Sequence, residues 1–306
     1  CGALLSLTSG RDNVVVGSES GCDITQGEHN AIFGHEAGMQ LSTQSANTLI
    51  GAFAGRKAAA ASNTMIGANA GRCMTTGAGN IAIGECAYRG DNSSAGAGDN
   101  NIVIGRQAVL NACTAAGNIH IGKYSGKCLT TGACNISLGN SSLNCVTTAS
   151  QNIAIGQAAM SAATVTGNLN IAIGCKAGNR ITSGRQNILL GRYAGSAFDT
   201  GAGEVGTGCY NVILGDTAAF KATSASSNVI IGKRAGYCLT TGNYNTLLGE
   251  YAGKLVTGLK NTFIGHKAGL NATTGCCNIV IGHYAQLPVA DGNDQLAIKR
   301  GSTFGS

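Results

Sequence analysis

Hydrophobic residues along this chain come in short alternating bursts, each closed by glycine, and the same burst keeps returning. Its clearest form is Asn170-Ile171-Ala172-Ile173-Gly174. Earlier copies begin at Asn13, Asn30, Asn47, Asn63, Asn80, Asn101, Asn118, Asn135 and Asn152, and later ones at Asn187, Asn211, Asn228, Asn245, Asn261 and Asn278. A degenerate copy starts at Gln295, with Ile298 in the isoleucine place and Lys299 where glycine is expected. Of the sixteen intervals, eleven are 17 residues and three are 16 or 18, with single intervals of 21 and 24. A fixed period of this length predicts stacked copies of one structural unit.

Each copy is numbered from its Asn as position 0. Position 3 is a bulky apolar residue, position 4 is Gly in all but the last copy, and position 7 is Ala or Ser. Position 11 is often aliphatic and is often followed by a Thr-Thr-Gly turn, as in Leu129-Thr130-Thr131-Gly132 and Leu239-Thr240-Thr241-Gly242. Five residues rich in β-branched side chains and bounded by Gly predict a short strand. Only parallel stacking brings position 3 beside position 3 in every copy. Small residues at 4, 7 and 8 let the backbone bend sharply. A stacked Asn column can hydrogen-bond its amides from coil to coil, as amide ladders do in cross-β structures. The expected fold is all-β, a parallel β-roll or β-solenoid of about 17 coils. Residues 1–286 form the repetitive roll, with longer coils at 87–100 and 196–210, and 287–306 form an atypical terminal coil or cap, as solenoid ends do.

Sidedness bears on assembly. Positions 1 and 3 face one side of the strand and position 2 the other. Position 2 holds Val15, Ile32, Met65 and Val280 among others, and is polar only at His120 and Ser137. A strand apolar on both faces is buried on both faces. One face is covered by the opposite wall of the coil, and the other needs a second chain. Position 2 is therefore the expected oligomer interface, through Leu49, Val103, Leu189, Ile213, Ile230, Leu247 and Phe263.

Composition narrows the function. Charged residues are 11% of the 306, Trp is absent and Pro occurs once. No run is long enough to cross a membrane. The net charge of +6 reads as spread over the coils, which argues against nucleic acid. Ala3 and Leu7-Thr8-Ser9-Gly10 fit positions of a preceding copy, so residue 1 is expected to lie inside a longer protein. The thirteen Cys follow no metal or haem spacing and replace small residues, so thiols and assembly in a reducing compartment are expected. Cys128 and Cys145, both at position 10 of consecutive coils, are the pair close enough to bridge; these too are expected to be thiols.

The words Asn245-Thr246-Leu247-Leu248-Gly249-Glu250-Tyr251-Ala252-Gly253 and Asn261-Thr262-Phe263-Ile264-Gly265-His266-Lys267-Ala268-Gly269 resemble the repeats of phage and large-virus tail-fibre proteins. More distantly, the Ile-Gly-x-x-Ala pattern is similar to the head β-rolls of trimeric bacterial autotransporter adhesins. The resemblance covers the whole chain. It implies an interlocked homotrimer that forms a structural fibre segment on a virion surface beside other fibre proteins. The alternative it implies is the head of a bacterial surface adhesin, or a subunit of an extracellular filament.

Candidate chemistry is thin. A hexapeptide acyltransferase needs an aliphatic residue about every six positions, whereas here one Ile-Gly recurs per 17. His35, His266 and His283 share position 5, a column otherwise polar enough to be a solvated face. Carboxylate pairs Asp91/Asp99 and Asp199/Glu204 sit on the two insertions, where a glycan-cleaving tailspike would place them. Loose Gly-rich flanks argue against catalysis, so no enzyme, cofactor or metal is expected. Insertions in a solenoid emerge as surface loops. Contacts to a cell-surface glycan or protein receptor are therefore expected at Tyr88, Arg89, Asp91, Asp99, Asp199, Glu204 and Tyr210. The column Phe53, Tyr124, Tyr193, Tyr251 and Tyr284 at position 6 suits either stacking on sugars or packing between chains.

Overall fold

The computed structural model describes residues 2–90, 98–110, 114–162, 164–196 and 206–299. It is an all-β solenoid with no helix among them, hence none long and apolar enough to cross a membrane. The chain divides into two compact units, Cys1–Gln151 and Asn152–Ser306. The first carries β1 (Val14–Val16), β2 (Ala31–Phe33), β3 (Thr48–Ile50), β4 (Thr64–Ile66), β5 (Ile81–Ile83), β6 (Ile102–Ile104), β7 (Ile119–Ile121) and β8 (Ile136–Leu138). The second carries β9 (Ile153–Ile155), β10 (Ile171–Ile173), β11 (Ile188–Leu190), β12 (Val212–Leu214), β13 (Val229–Ile231), β14 (Thr246–Leu248), β15 (Thr262–Ile264), β16 (Ile279–Ile281) and β17 (Leu296–Ile298). Within each unit every strand pairs in parallel with the next, position on position, as in Ile213↔Ile230 and Ile230↔Leu247.

The repeat explains the coil. Position 4 turns the chain off the strand at a φ that an L side chain rarely adopts, from +124° at Gly282 to +142° at Gly34. Two β-turns follow. In the first, the position 7 N–H donates to the position 4 carbonyl, as from Ala235 to Gly232 at 3.1 Å; in the second, position 11 donates to position 8, as from Leu239 to Gly236 at 2.9 Å. Residues 5, 6, 9 and 10 are the corners of these turns. Position 6 has positive φ whatever its side chain, at Tyr193, Arg234, Tyr251 and Lys267 alike.

The core is a set of columns. Position 2, position 7 and position 11 supply Ile230, Ala235 and Leu239 in one coil, and Leu247, Ala252 and Val256 in the next, all fully buried. Stacking an aliphatic column this way contributes roughly 1.5–3 kcal/mol per fully buried side chain.

The Asn column lines the same interior. Asn187 donates both its backbone N–H and its Nδ2 to Asn170 Oδ1, at 3.1 and 3.0 Å, and its Nδ2 also crosses the coil to the Gly208 carbonyl at 2.9 Å. Asn211 repeats the pattern on Asn187, and Asn228 on Asn211. In these coils the amide thus ties one coil to the next and closes the coil on itself. Gln295 ends the column: its N–H still donates to Asn278 Oδ1, but its longer amide turns to Val289, accepting from the N–H and donating to the carbonyl. The stretch expected as an atypical cap still contributes β17, paired with β16.

Candidate functional site

The side chains expected to form an oligomer interface lie inside the chain's own coil. Leu49, Val103, Leu189, Ile213, Ile230, Leu247 and Phe263 are at most 2% exposed. The expectation is corrected, and the reason is the small column opposite. Ala or Ser at position 7 leaves room for position 2, so one coil covers its own inner face. Positions 1 and 3 point outward instead. That face is also apolar: Ile173, Ile188, Val229, Ile231, Ile264, Ile279 and Ile281 are each 37–43% exposed in the second unit. It carries no charge in any strand. Contiguous apolar surface of this kind marks an interaction site on a folded protein.

The expected receptor residues separate. Tyr88 is buried, not displayed on a loop. It occupies position 8 at φ 46°, and its hydroxyl accepts from Asn101 Nδ2 at 2.9 Å, so it plugs the coil at the start of the first insertion. Burial drives its phenol far above the usual range. Arg89 is half-buried and its carbonyl accepts from the Cys73 N–H. Asp99 is exposed, but its Oδ1 accepts from the Ala78 N–H at 2.9 Å, a structural tie. Tyr210 is 51% exposed and available. Asp91, Asp199 and Glu204 lie outside the described residues. A void of about 20 Å³ beside the second insertion, between Leu189 and Ile213, holds no more than a water. Among the described residues no group of three or more His, Cys, Asp or Glu is placed to hold a metal ion. His266 and His283 stack with ring centroids 5.1 Å apart, and Tyr284 packs edge-on against both.

The aromatic column at position 6 is laced with cations. In the first unit Lys123 and Lys127 lie over Tyr124, at 4.8 and 5.1 Å from the ring centre, and Arg72 over Phe53 at 5.1 Å. In the second, Lys176 and Arg192 cover Tyr193, at 5.3 and 5.7 Å. Tyr193 meets Phe220 edge-on, and Phe220 stacks on Tyr237 at 5.1 Å. Arg234, Lys254 and Lys267 surround Tyr251, and Lys267 also lies over Tyr284 at 4.6 Å. Within each of these coils the cations sit on the turn corners. Linear sequence hides this, because the corners come together only when coils are stacked.

One buried polar cluster interrupts the core. At β7 and β8, position 2 is His120 and Ser137, and position 7 is Ser125 and Ser142, all fully buried. Ser125 Oγ lies 3.4 Å from His120 Nδ1 and 2.7 Å from Ser137 Oγ, and Ser137 in turn meets Ser142 at 2.5 Å. His120 Nε2 has no partner. Burial pushes the imidazole down to about 3. All four side chains are fully buried, which makes the cluster a pH liability. An unfolded imidazole takes up its proton near 6.5 and the folded one near 3. Stability from this group is therefore complete above about pH 6.5 and falls as pH drops toward 3. Between pH 7 and 4.5 the loss is about 2–3 kcal/mol. His120→Val, which restores the apolar column, is expected to flatten that part of the pH profile; urea midpoints at both pH values for the two proteins measure it. An unchanged profile would place the sensitivity in other groups.

Every described cysteine is a free thiol, including Cys128 and Cys145. Burial, and then the Cys128 thiol beside it, push the Cys145 thiol up, so Cys145 is poorly reactive as a thiolate. No family model matches this chain, and no curated protein is similar to it.

Proposed function

We propose that this chain is a structural fibre segment of a virion, and that copies of it join through the outward face of the strands. The carrying observation is that each unit satisfies its own core yet keeps an uncharged apolar face of positions 1 and 3 along its whole ladder. A solenoid that needed no partner would place charged residues there, as edge and surface strands do. Three copies are what the resemblance to tail-fibre repeats implies, with cell-surface attachment as the role of the assembled fibre. Free thiols at every described cysteine support assembly in a reducing cytosol before display outside the cell. The bacterial adhesin head shares the architecture, but its secretion route through an oxidising compartment suits this thiol content less.

The test separates the two faces of one strand. Val229→Asp with Ile231→Asp alters the outward side chains of β13, which are 38% and 41% exposed in the single chain. The double variant is expected to stay folded and to lose assembly, since each charge would be desolvated without a partner in the joint. Ile230→Asp, one residue away and fully buried, is expected to unfold the coil instead. Assembly that survives the outward variant would refute the proposed face.

A further inference from the structure

The cations and rings on the turn corners of the second unit form more than decoration, and nothing in the fibre reading requires them. We propose that this ledge is a binding site for a linear anionic polysaccharide, one bearing sulfates or carboxylates along an extended chain. The corners at positions 5, 6 and 9 bring together Lys176, Arg192, Lys233, Arg234, Lys254 and Lys267. Two carboxylates share the ledge: Asp216 is held by Arg192 at 2.8 Å and Glu250 by Lys233 at 3.7 Å. Arg234, Lys254 and Lys267 form no ion pair among the described residues. Successive coils advance by about 4.8 Å, so these charges stand closer than the Debye length of about 8 Å at physiological salt. Like charges held that close raise a local positive potential, which a polymer with regularly spaced negative groups relieves.

The rings decide between polymers. A single-stranded nucleic acid is held by bases stacked on open aromatic faces. Here those faces are taken: ammonium and guanidinium groups cover Tyr193 and Tyr251, and Phe220 and Tyr237 cover each other. The aromatic column serves to hold the cation stems in a row, so the approaching polymer meets a column of charge rather than of π surface. A polysaccharide carries its anionic groups outboard of its rings and needs no stacking to present them. The row of like charge also disfavours meeting the same ledge of another copy, so it remains open when copies join through positions 1 and 3. The binding property does not depend on that assembly.

The experiment uses the full chain and measures affinity by calorimetry for four probes: a sulfated glycosaminoglycan, a polyuronate of the same length, neutral dextran, and a single-stranded oligonucleotide of matched charge. The two anionic polysaccharides are expected to bind, with the logarithm of the binding constant falling linearly with log salt, and dextran to be silent. Arg234→Ser with Lys254→Ser and Lys267→Ser is expected to weaken binding at least tenfold and to reduce the salt slope by roughly two to three. Lys254→Arg with Lys267→Arg keeps the charge and is expected to retain binding even if the serine variant proves unstable. Arg185→Ser with Lys260→Ser removes exposed charge ahead of the strands and is expected to leave affinity unchanged. No binding, binding indifferent to the serine variant with its urea midpoint intact, loss of binding in the arginine variant, or a tighter grip on the oligonucleotide would each overturn the proposal. The oligomeric state, read separately by light scattering, does not enter these outcomes.

Discussion

Gly232→Ala is expected to destabilise the second unit by more than about 4 kcal/mol, the range reached only by outright structural conflicts. Gly232 sits at φ +135°, where an L side chain is strained by about 1–3 kcal/mol on its own. An added Cβ would also stand 2.5 Å from the carbonyl carbon and oxygen of Gly249, the same position one coil on. Both obstacles are backbone, and stacking prevents either from yielding. Gly236→Ala is the informative comparison. Its φ of +53° lies in the left-handed helical region, and its added Cβ would meet Leu247 Cδ1 at 2.9 Å, the far end of a side chain. Position 8 already tolerates Val109, Leu143, Met160 and Ala219 at φ 45–46°. That substitution is expected to cost about 1–2 kcal/mol. Urea midpoints of both variants check the contrast; equal losses would mean that the stacked glycine column is not what fixes the coil.

Asn228→Leu is expected to cost about 2–6 kcal/mol although leucine is nearly isosteric and apolar. The substitution leaves the Asn245 N–H and Nδ2 without the oxygen they share, at 2.8 and 3.1 Å, and strips Asn211 Oδ1 and the Gly242 carbonyl of a donor. The Asn245 N–H and the Gly242 carbonyl become buried orphans at about 1–3 kcal/mol each, while Asn245 Nδ2 keeps the Gly258 carbonyl and Asn211 Oδ1 keeps the backbone N–H of residue 228. Asn228→Asp is expected to be as harmful. A carboxylate cannot donate to Asn211 Oδ1, and its charge would be buried without a cation. A loss below about 1 kcal/mol for either variant would show that the amide column is replaceable packing.

The strands were legible because the chain states each one in the same words. The Asn–x–x–Ile–Gly word marks β1 to β16, and even the worn copy at Gln295 marks β17. The amide ladder was legible for the same reason. Which face turns inward was misread, although the parity was present: Asn at position 0 and the residue at position 2 point the same way, so a buried ladder carries Leu49, Ile230 and Phe263 inside with it. The small residue at position 7 is the complementary signal, as it marks the wall that position 2 packs against. Tyr88 was misplaced because it stands next to an insertion, where surface exposure is the default. Its place at position 8, among inward-facing residues, was the better guide. The His120 cluster and the cation ledge needed the coil itself. Ser125 lies five residues from His120 and twelve from Ser137, and only the turn geometry brings position 7 back onto position 2. Lys254 and Lys267 reach one ring from adjacent coils and from different corners.

The account rests on the outward apolar face joining copies of the chain, and the mass of the unmodified protein in solution tests that most directly. Light scattering on the full chain is predicted to return three times the 30.5 kDa of one copy, in a single species that melts cooperatively. A folded, cooperatively melting species of 30.5 kDa, unchanged as concentration is raised, would contradict it.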